Sequence, residues 1–175
     1  MAPPCWYVRS VSGGTCELTG GCAGQQVAAA YSGATPNVEW LLEHGASIDQ
    51  PNIDGLTALM ACVIQGQTSF GTPGTNDSQE GSTRVAESLI ARGAQIDHPE
   101  ADHGHGRTAL IWAARKNRIN HANLLLEHGA KVNGADSDGR TPLMYAVAAG
   151  HATIAELLLK HGADAGALTM HICVC

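Results

Sequence analysis

The residues best suited to chemistry in this sequence fall within one short polar stretch. The stretch is "DHPEADHGHG", and its candidate ligands are Asp97, His98, Glu100, Asp102, His103 and His105. Imidazole and carboxylate groups bind divalent transition metals, so one hypothesis is a metal site in the turn from His98 to His105. The alternative is a solvated turn at the protein surface, where polar residues are common. We adopt the second interpretation, so the sequence predicts no metal site and no cofactor.

The six cysteines do not have the spacing of a metal or redox motif. No two of them form the Cys-x-x-Cys pair that is typical of zinc and thiol redox sites. Cys62 lies among small apolar residues, where a free cysteine is commonly buried. The other five lie toward the two ends of the sequence, at Cys5, Cys16, Cys22, Cys173 and Cys175.

The sequence also lacks the short motifs that mark common enzymes. It has no glycine loop followed by Lys-Ser or Lys-Thr for phosphate, no nucleophile elbow, and no His-Glu-x-x-His. A site assembled from distant residues leaves no such signature, and the motifs alone do not exclude it. We nevertheless expect a non-catalytic protein.

Composition is typical of one modest folded domain. The 175 residues have a formal net charge of −6, which favours solubility and argues against nonspecific nucleic-acid binding. No apolar stretch is long enough to predict a membrane span. The start "MAPPCWYVRS" lacks the basic and apolar parts of a secretion signal. We therefore expect an intracellular, cytoplasmic location with reduced cysteines, and a nuclear location stays open.

Large parts of the chain repeat themselves. Residues 105–132 and residues 138–165 align with Gly106 on Gly139 and Gly129 on Gly162, 33 residues apart. An earlier copy opens at 54–66 and closes at 85–97, and a degenerate first copy covers 27–49. The sequence therefore predicts about four copies of one structural unit.

Each unit contains two short amphipathic stretches of helical spacing. Thr57, Thr108 and Thr141 precede the first stretch, where a hydroxyl can cap a helix. Asn117 follows the first stretch in the third unit, at a position that favours a left-handed residue. Helices this short are marginal alone, so we expect the units to stack and to stabilise each other.

The unit resembles the ankyrin repeat. Residues 138–165, "DGRTPLMYAVAAGHATIAELLLKHGADA", carry the Gly-x-Thr-Pro-Leu opening, the central Gly-His and the Leu-Leu-Leu run before Gly-Ala-Asp. The family's histidine after Thr-Pro-Leu is replaced by Met60, Ile111 and Met144. The resemblance implies an all-α ankyrin-repeat solenoid of paired short antiparallel helices with β-turn fingers, in about four repeats.

The resemblance also implies a domain organisation. Residues 1–24 form an irregular leader containing Gly and Cys, residues 25–168 form the repeat domain, and 169–175 form a tail. The predicted units are 25–51, 52–102 with an inserted mobile loop at 67–83, 103–135 and 136–168. The last unit lacks the polar outer face of a terminal cap, so self-association through it is one expectation.

Ankyrin-like proteins bind partners through their turn tips and first helices, which together form a concave surface. The resemblance therefore implies a protein-protein interaction module acting as an adaptor, inhibitor or targeting subunit. The alternatives are a regulatory part of a larger enzyme or channel and, less favoured, the metal-binding turn. The repeat register gives the expected contact residues as Ile53, Asp54, Leu56, Ile64, Gln65, His105, Arg107, Arg115, Lys116, Asp138 and Arg140.

Basic residues are concentrated in the third and fourth units. Half of the ten Lys and Arg residues are Arg107, Arg115, Lys116, Arg118 and Arg140. Such a patch on an acidic protein suits an acidic segment of a partner, although an ordinary solvated helix face has the same composition. Trp112 and Tyr145 occupy positions where the family has a buried leucine, so we expect them in the core.

Overall fold

The computed structural model describes residues 22–65, 77–101 and 105–166. These residues form eight helices and no strand. The helices are α1 (Cys22–Tyr31), α2 (Thr35–Glu43), α3 (Ala58–Gln65), α4 (Asp77–Ala91), α5 (Ala109–Lys116), α6 (Ile119–Glu127), α7 (Pro142–Ala148) and α8 (Ala152–Lys160).

The helices pack as four pairs in two rows. The first-helix row consists of α1, α3, α5 and α7, and each of these helices contacts its neighbour in the row. The second-helix row consists of α2, α4, α6 and α8, which also pack in sequence. The all-α solenoid predicted from the repeat is confirmed.

The core lies between the two rows. Leu59, Leu110 and Leu143 fill it from the first-helix row, and Leu89, Leu125 and Leu158 fill it from the second-helix row. Burying a leucine contributes roughly 1.5–3 kcal/mol, so these residues stabilise the stack while its helices alone are marginal.

The helix ends follow the capping residues of the sequence. Thr108 and Thr141 are extended, and their hydroxyls accept hydrogen bonds from Ile111 N and Met144 N. Asn117 ends α5 with a left-handed φ of 58°. Asparagine tolerates that conformation better than other residues with a Cβ, so it replaces the usual glycine.

A ladder of side-chain hydrogen bonds connects the ends of consecutive units. Asp49 Oδ1 accepts from Gln95 N at 2.9 Å, and Asp97 Oδ1 accepts from Lys131 N at 3.0 Å. Asn133 Oδ1 accepts from Asp164 N at 2.9 Å, at the same position of the repeat. One acceptor per unit thus holds the next unit in register.

Two boundaries differ from the sequence prediction. Helix α4 begins at Asp77, so residues 77–83 are helical and not part of the loop predicted at 67–83. Ser82 is buried, and the backbone of Gly81 lies close to that of Gly33. Packing therefore overrides the low helix propensity of this stretch. Helix α1 begins at Cys22, inside the predicted irregular leader.

Candidate functional site

Two turn tips are shaped by one side-chain acceptor each. Asn52 Oδ1 accepts from the N–H groups of Asp54 and Leu56, at 3.0 and 2.9 Å. Asp136 Oδ1 accepts from the N–H groups of Asp138 and Arg140 in the same way, at 3.0 and 2.9 Å. These bonds fold the backbone into a finger and leave the two residues after each acceptor exposed to solvent.

Neighbouring fingers are joined through their backbones. Ala101 N donates to Gly55 O at 3.1 Å, and Ser137 N donates to His105 O at 2.9 Å. His105 Nδ1 also lies 3.9 Å from Asp138 Oδ2. We call residues 52–56, 105–107 and 136–140 the finger row, because these bonds place them side by side.

The finger of the second unit exposes an apolar tip. The side chain of Ile53 is 90% exposed, and Asp54 beside it is also exposed. Ile64, near the end of α3, is half-buried against the core. The side chain of Gln65, another predicted contact residue, lies outside the described part of the structure.

One residue predicted at this surface is not available for contact. Leu56 is only 8% exposed and packs in the core. Its N–H is held by Asn52, which turns the chain inward after the tip. The repeat register identified the finger but did not show where its chain returns to the core, so the prediction for Leu56 was wrong.

Trp112 brings two of the predicted basic residues together. The guanidinium carbons of Arg107 and Arg115 lie 5.3 and 5.2 Å from the centroid of its ring. Both distances are within the range of cation–π attraction. Trp112 is half-buried and packs on the core as expected, but its ring also orders two arginines, which the sequence did not indicate. We call these three residues the Arg-Trp-Arg cluster.

Lys116 and Arg140 are exposed, as a basic patch requires, whereas Arg118 is buried. Arg118 precedes α6, and its burial lowers the pKa of its guanidinium. Arg118 is one of the five basic residues of this stretch but is not among the predicted contact residues, and its burial keeps it out of the exposed patch.

His121 is a buried histidine beside Arg118. Burial, and then the charge of Arg118, lower the pKa of His121 from 6.5 to about 4, although a hydrogen bond to the Ser82 backbone raises it. His121 occupies the position of Ile154 in the fourth unit, where an apolar side chain fills the same seam. The repeat register, which aligns His121 with Ile154, is the signal that could have indicated the burial of this histidine.

Tyr145 holds the finger of its own unit. Its hydroxyl donates to Asp136 Oδ2 at 2.6 Å, while the ring packs on the core. Asp136 thus has three donors and is buried. The equivalent position in the third unit is His103, which lies outside the described residues.

The histidine-rich turn is described only in part, because Asp102 and His103 lie outside the described residues. His98 Nδ1 is 2.8 Å from Pro99 O, and Asp97 is a member of the cross-unit ladder. Among the described residues, no group of three or more His, Cys, Asp or Glu side chains is placed to hold a metal ion.

Comparison with known families gives two matches. A family model described as ankyrin repeats (3 copies) matches residues 77–168, and a second, described as ankyrin repeats (many copies), matches residues 26–70. A comparison with curated proteins found no match.

Proposed function

This chain belongs to the ankyrin-repeat family, and from that membership we propose that it is a non-catalytic adaptor, inhibitor or targeting subunit. Ankyrin repeats are generally protein-protein interaction modules. The partner binds the finger row and the exposed faces of the first helices, which form the long side of the stack.

The observation that carries this proposal is the combination of an apolar tip and ordered cations on adjacent fingers. Ile53 is the most exposed large apolar residue in the described part of the chain. Arg107 and Arg115 are arranged around Trp112 in the next unit. Binding surfaces combine aromatic, arginine and apolar contacts in this way, with charged groups that guide the approach of the partner.

Unpaired charge on this surface favours an acidic partner segment. Among the described residues, the ion pair that involves a Lys or Arg side chain joins Arg92 to Glu43 in the second-helix row. Neither residue belongs to the basic patch. Arg115 and Lys116 are exposed at the end of α5. An acidic segment would gain charge-assisted hydrogen bonds here without breaking internal ones. Within the described helices, none is long and apolar enough to cross a membrane.

A paired capture experiment tests the proposal. The intact chain, the Arg115→Glu/Lys116→Glu variant and a Lys131→Glu/Lys160→Glu control are used to capture proteins from a cell lysate, followed by mass spectrometry. All four residues are exposed, so the two variants carry the same change of charge. We expect a partner retained by the intact chain and the control and lost from the test variant.

Circular dichroism and thermal melting check that both variants keep the fold. A partner that all three proteins retain equally would place the interaction elsewhere on the molecule. A partner lost equally from both variants would show that overall charge, and not this surface, determines binding.

A further inference from the structure

Two N–H groups of the Arg-Trp-Arg cluster have no acceptor among the described residues. Arg107 Nε and Trp112 Nε1 are both buried, and neither has a hydrogen-bond partner within the described part of the chain. Arginine and tryptophan side chains carry N–H donors and no acceptor, so these groups cannot satisfy one another. A buried donor without a partner costs stability and requires an explanation.

We propose that the Arg-Trp-Arg cluster binds adjacent carboxylates of an acidic peptide segment whose neighbouring apolar residue contacts Ile53. This proposal rests on the proposed function and identifies its partner chemistry. The carboxylate oxygens accept from the accessible guanidinium N–H groups of Arg115, which is exposed, and of Arg107, which is partly exposed.

The position of the arginines suits them to this role. Each guanidinium carbon lies over the Trp112 ring, within the range of cation–π attraction, and Arg115 is exposed at the end of α5. The planar edge of arginine matches a carboxylate with two parallel hydrogen bonds. Because the ring restricts both side chains, less conformational entropy is lost when the peptide binds.

The backbone around the cluster is also fixed. Arg115 O accepts from His151 Nε2 of the next unit at 3.3 Å, and Arg107 O accepts from Glu100 N across the finger at 2.9 Å. Ala101, the residue after Glu100, bonds to Gly55 in the finger that carries Ile53. The cations and the apolar tip are therefore held in neighbouring units, which sets the spacing between the acidic and apolar residues of the segment.

The exposed carboxylates on the neighbouring fingers favour ligand groups that each carry one negative charge. Asp54 and Asp138 are exposed on the flanking finger tips. A phosphate carries up to two negative charges in one group and is repelled more strongly by these residues than a carboxylate is. We therefore assign the surface to Asp and Glu side chains.

Calorimetry with synthetic peptides tests this assignment on the full chain. The probe contains consecutive glutamates followed by leucines, and matched probes replace the glutamates with glutamine or with phosphoserine. We expect the glutamate peptide to bind more tightly than either, with an affinity that falls as salt is raised. Arg107→Gln and Arg115→Gln should each weaken binding by about tenfold, as loss of a charge-assisted hydrogen bond does.

Two further variants make the result specific. Arg84→Gln removes an exposed arginine of α4 and should leave the affinity unchanged, whereas Trp112→Leu should weaken it with circular dichroism preserved. Absence of glutamate-peptide binding, tighter phosphoserine binding, or equal binding by the Arg84→Gln and Arg115→Gln variants would overturn the assignment.

Peptide binding and partner capture together distinguish a wrong carboxylate assignment from a wrong interaction surface. If the glutamate peptide does not bind but a captured partner is still lost on Ile53→Ser, the interaction surface stands without the carboxylate assignment. If neither measurement responds, both proposals fail.

Discussion

Polar side chains of this protein bond largely to backbone groups of their own or the next unit. His44 Nδ1 lies 2.7 Å from Trp40 O, and His161 Nδ1 lies 2.9 Å from Leu157 O, so these histidines close the ends of second helices. Asn133 donates to Gly162 O in addition to its role in the ladder. The residue types that first suggested chemistry therefore mostly stabilise the repeat. Arg107 Nε and Trp112 Nε1 are among the buried side-chain donors that have no partner within the described residues.

The hydrogen bonds that Asp136 accepts can be tested by substituting this single residue. Asp136→Ala leaves Asp138 N, Arg140 N and the Tyr145 hydroxyl without their acceptor, and we expect a loss of about 2–3 kcal/mol in the free energy of unfolding. Asp136→Asn keeps an Oδ1 acceptor, as Asn52 has in the second unit, and should cost less. Urea unfolding measures both, and equal losses would contradict the hydrogen-bond explanation.

Stability should depend on pH through His121. Its pKa is about 4 in the folded protein against 6.5 ordinarily, so the unfolded chain binds a proton more readily between these values. Folding stability is then highest above pH 6.5 and decreases as the pH falls toward 4.

His121→Ile, which introduces the residue of the fourth unit, serves as the comparison. We expect its free energy of unfolding to decrease less between pH 7 and pH 4.5 than that of the natural chain, in urea titrations at both values. An identical decrease would assign the acid sensitivity to other groups.

Helix ends and their order could be predicted from the sequence because their signals are local. Thr108, Thr141 and Asn117 act within one helical turn, and the structure confirms all three. Burial of Leu56 and Arg118 could not be predicted, because it depends on how neighbouring elements cover a residue. The start of α4 at Asp77 has the same cause, since packing against the first unit orders a stretch of weak helix formers.

The core assignment of the second helices is testable at Leu125. This side chain is fully buried in α6, so Leu125→Ala should lower the free energy of unfolding by about 2–5 kcal/mol. Leu159→Ala in α8 is the control at protein concentrations low enough for a monomer, because Leu159 is 46% exposed and leaves no cavity there. Comparable losses in urea unfolding for the two variants would contradict the packing described here.

At the scale of the whole molecule, the proposed binding surface runs along the finger row, and the fourth unit exposes apolar side chains within the described part of the chain. Val147 and Leu159 of the fourth unit are 50% and 46% exposed, whereas the equivalent Ala114 and Leu126 of the third unit are 0% and 9% exposed. A following unit covers the latter pair. The same apolar positions in the fourth unit therefore favour a further contact.

We propose that a second copy of the chain covers these exposed apolar side chains. We expect sedimentation equilibrium to detect a concentration-dependent dimer that Val147→Glu/Leu159→Glu dissociates, since two charges cannot be buried there without partners. A Lys131→Glu/Lys160→Glu control should still dimerise. A monomer at every concentration, or a dimer that the first variant retains, would contradict this expectation.

The most direct test of the central claim is a hydrogen-exchange footprint of the captured partner on the intact chain. Binding through the long side predicts slower amide exchange at residues 52–56, 105–116 and 136–148, with little change in the second helices α2, α6 and α8. Protection confined to the second helices, with the finger row unchanged, would contradict the account and place the partner on the opposite side of the stack.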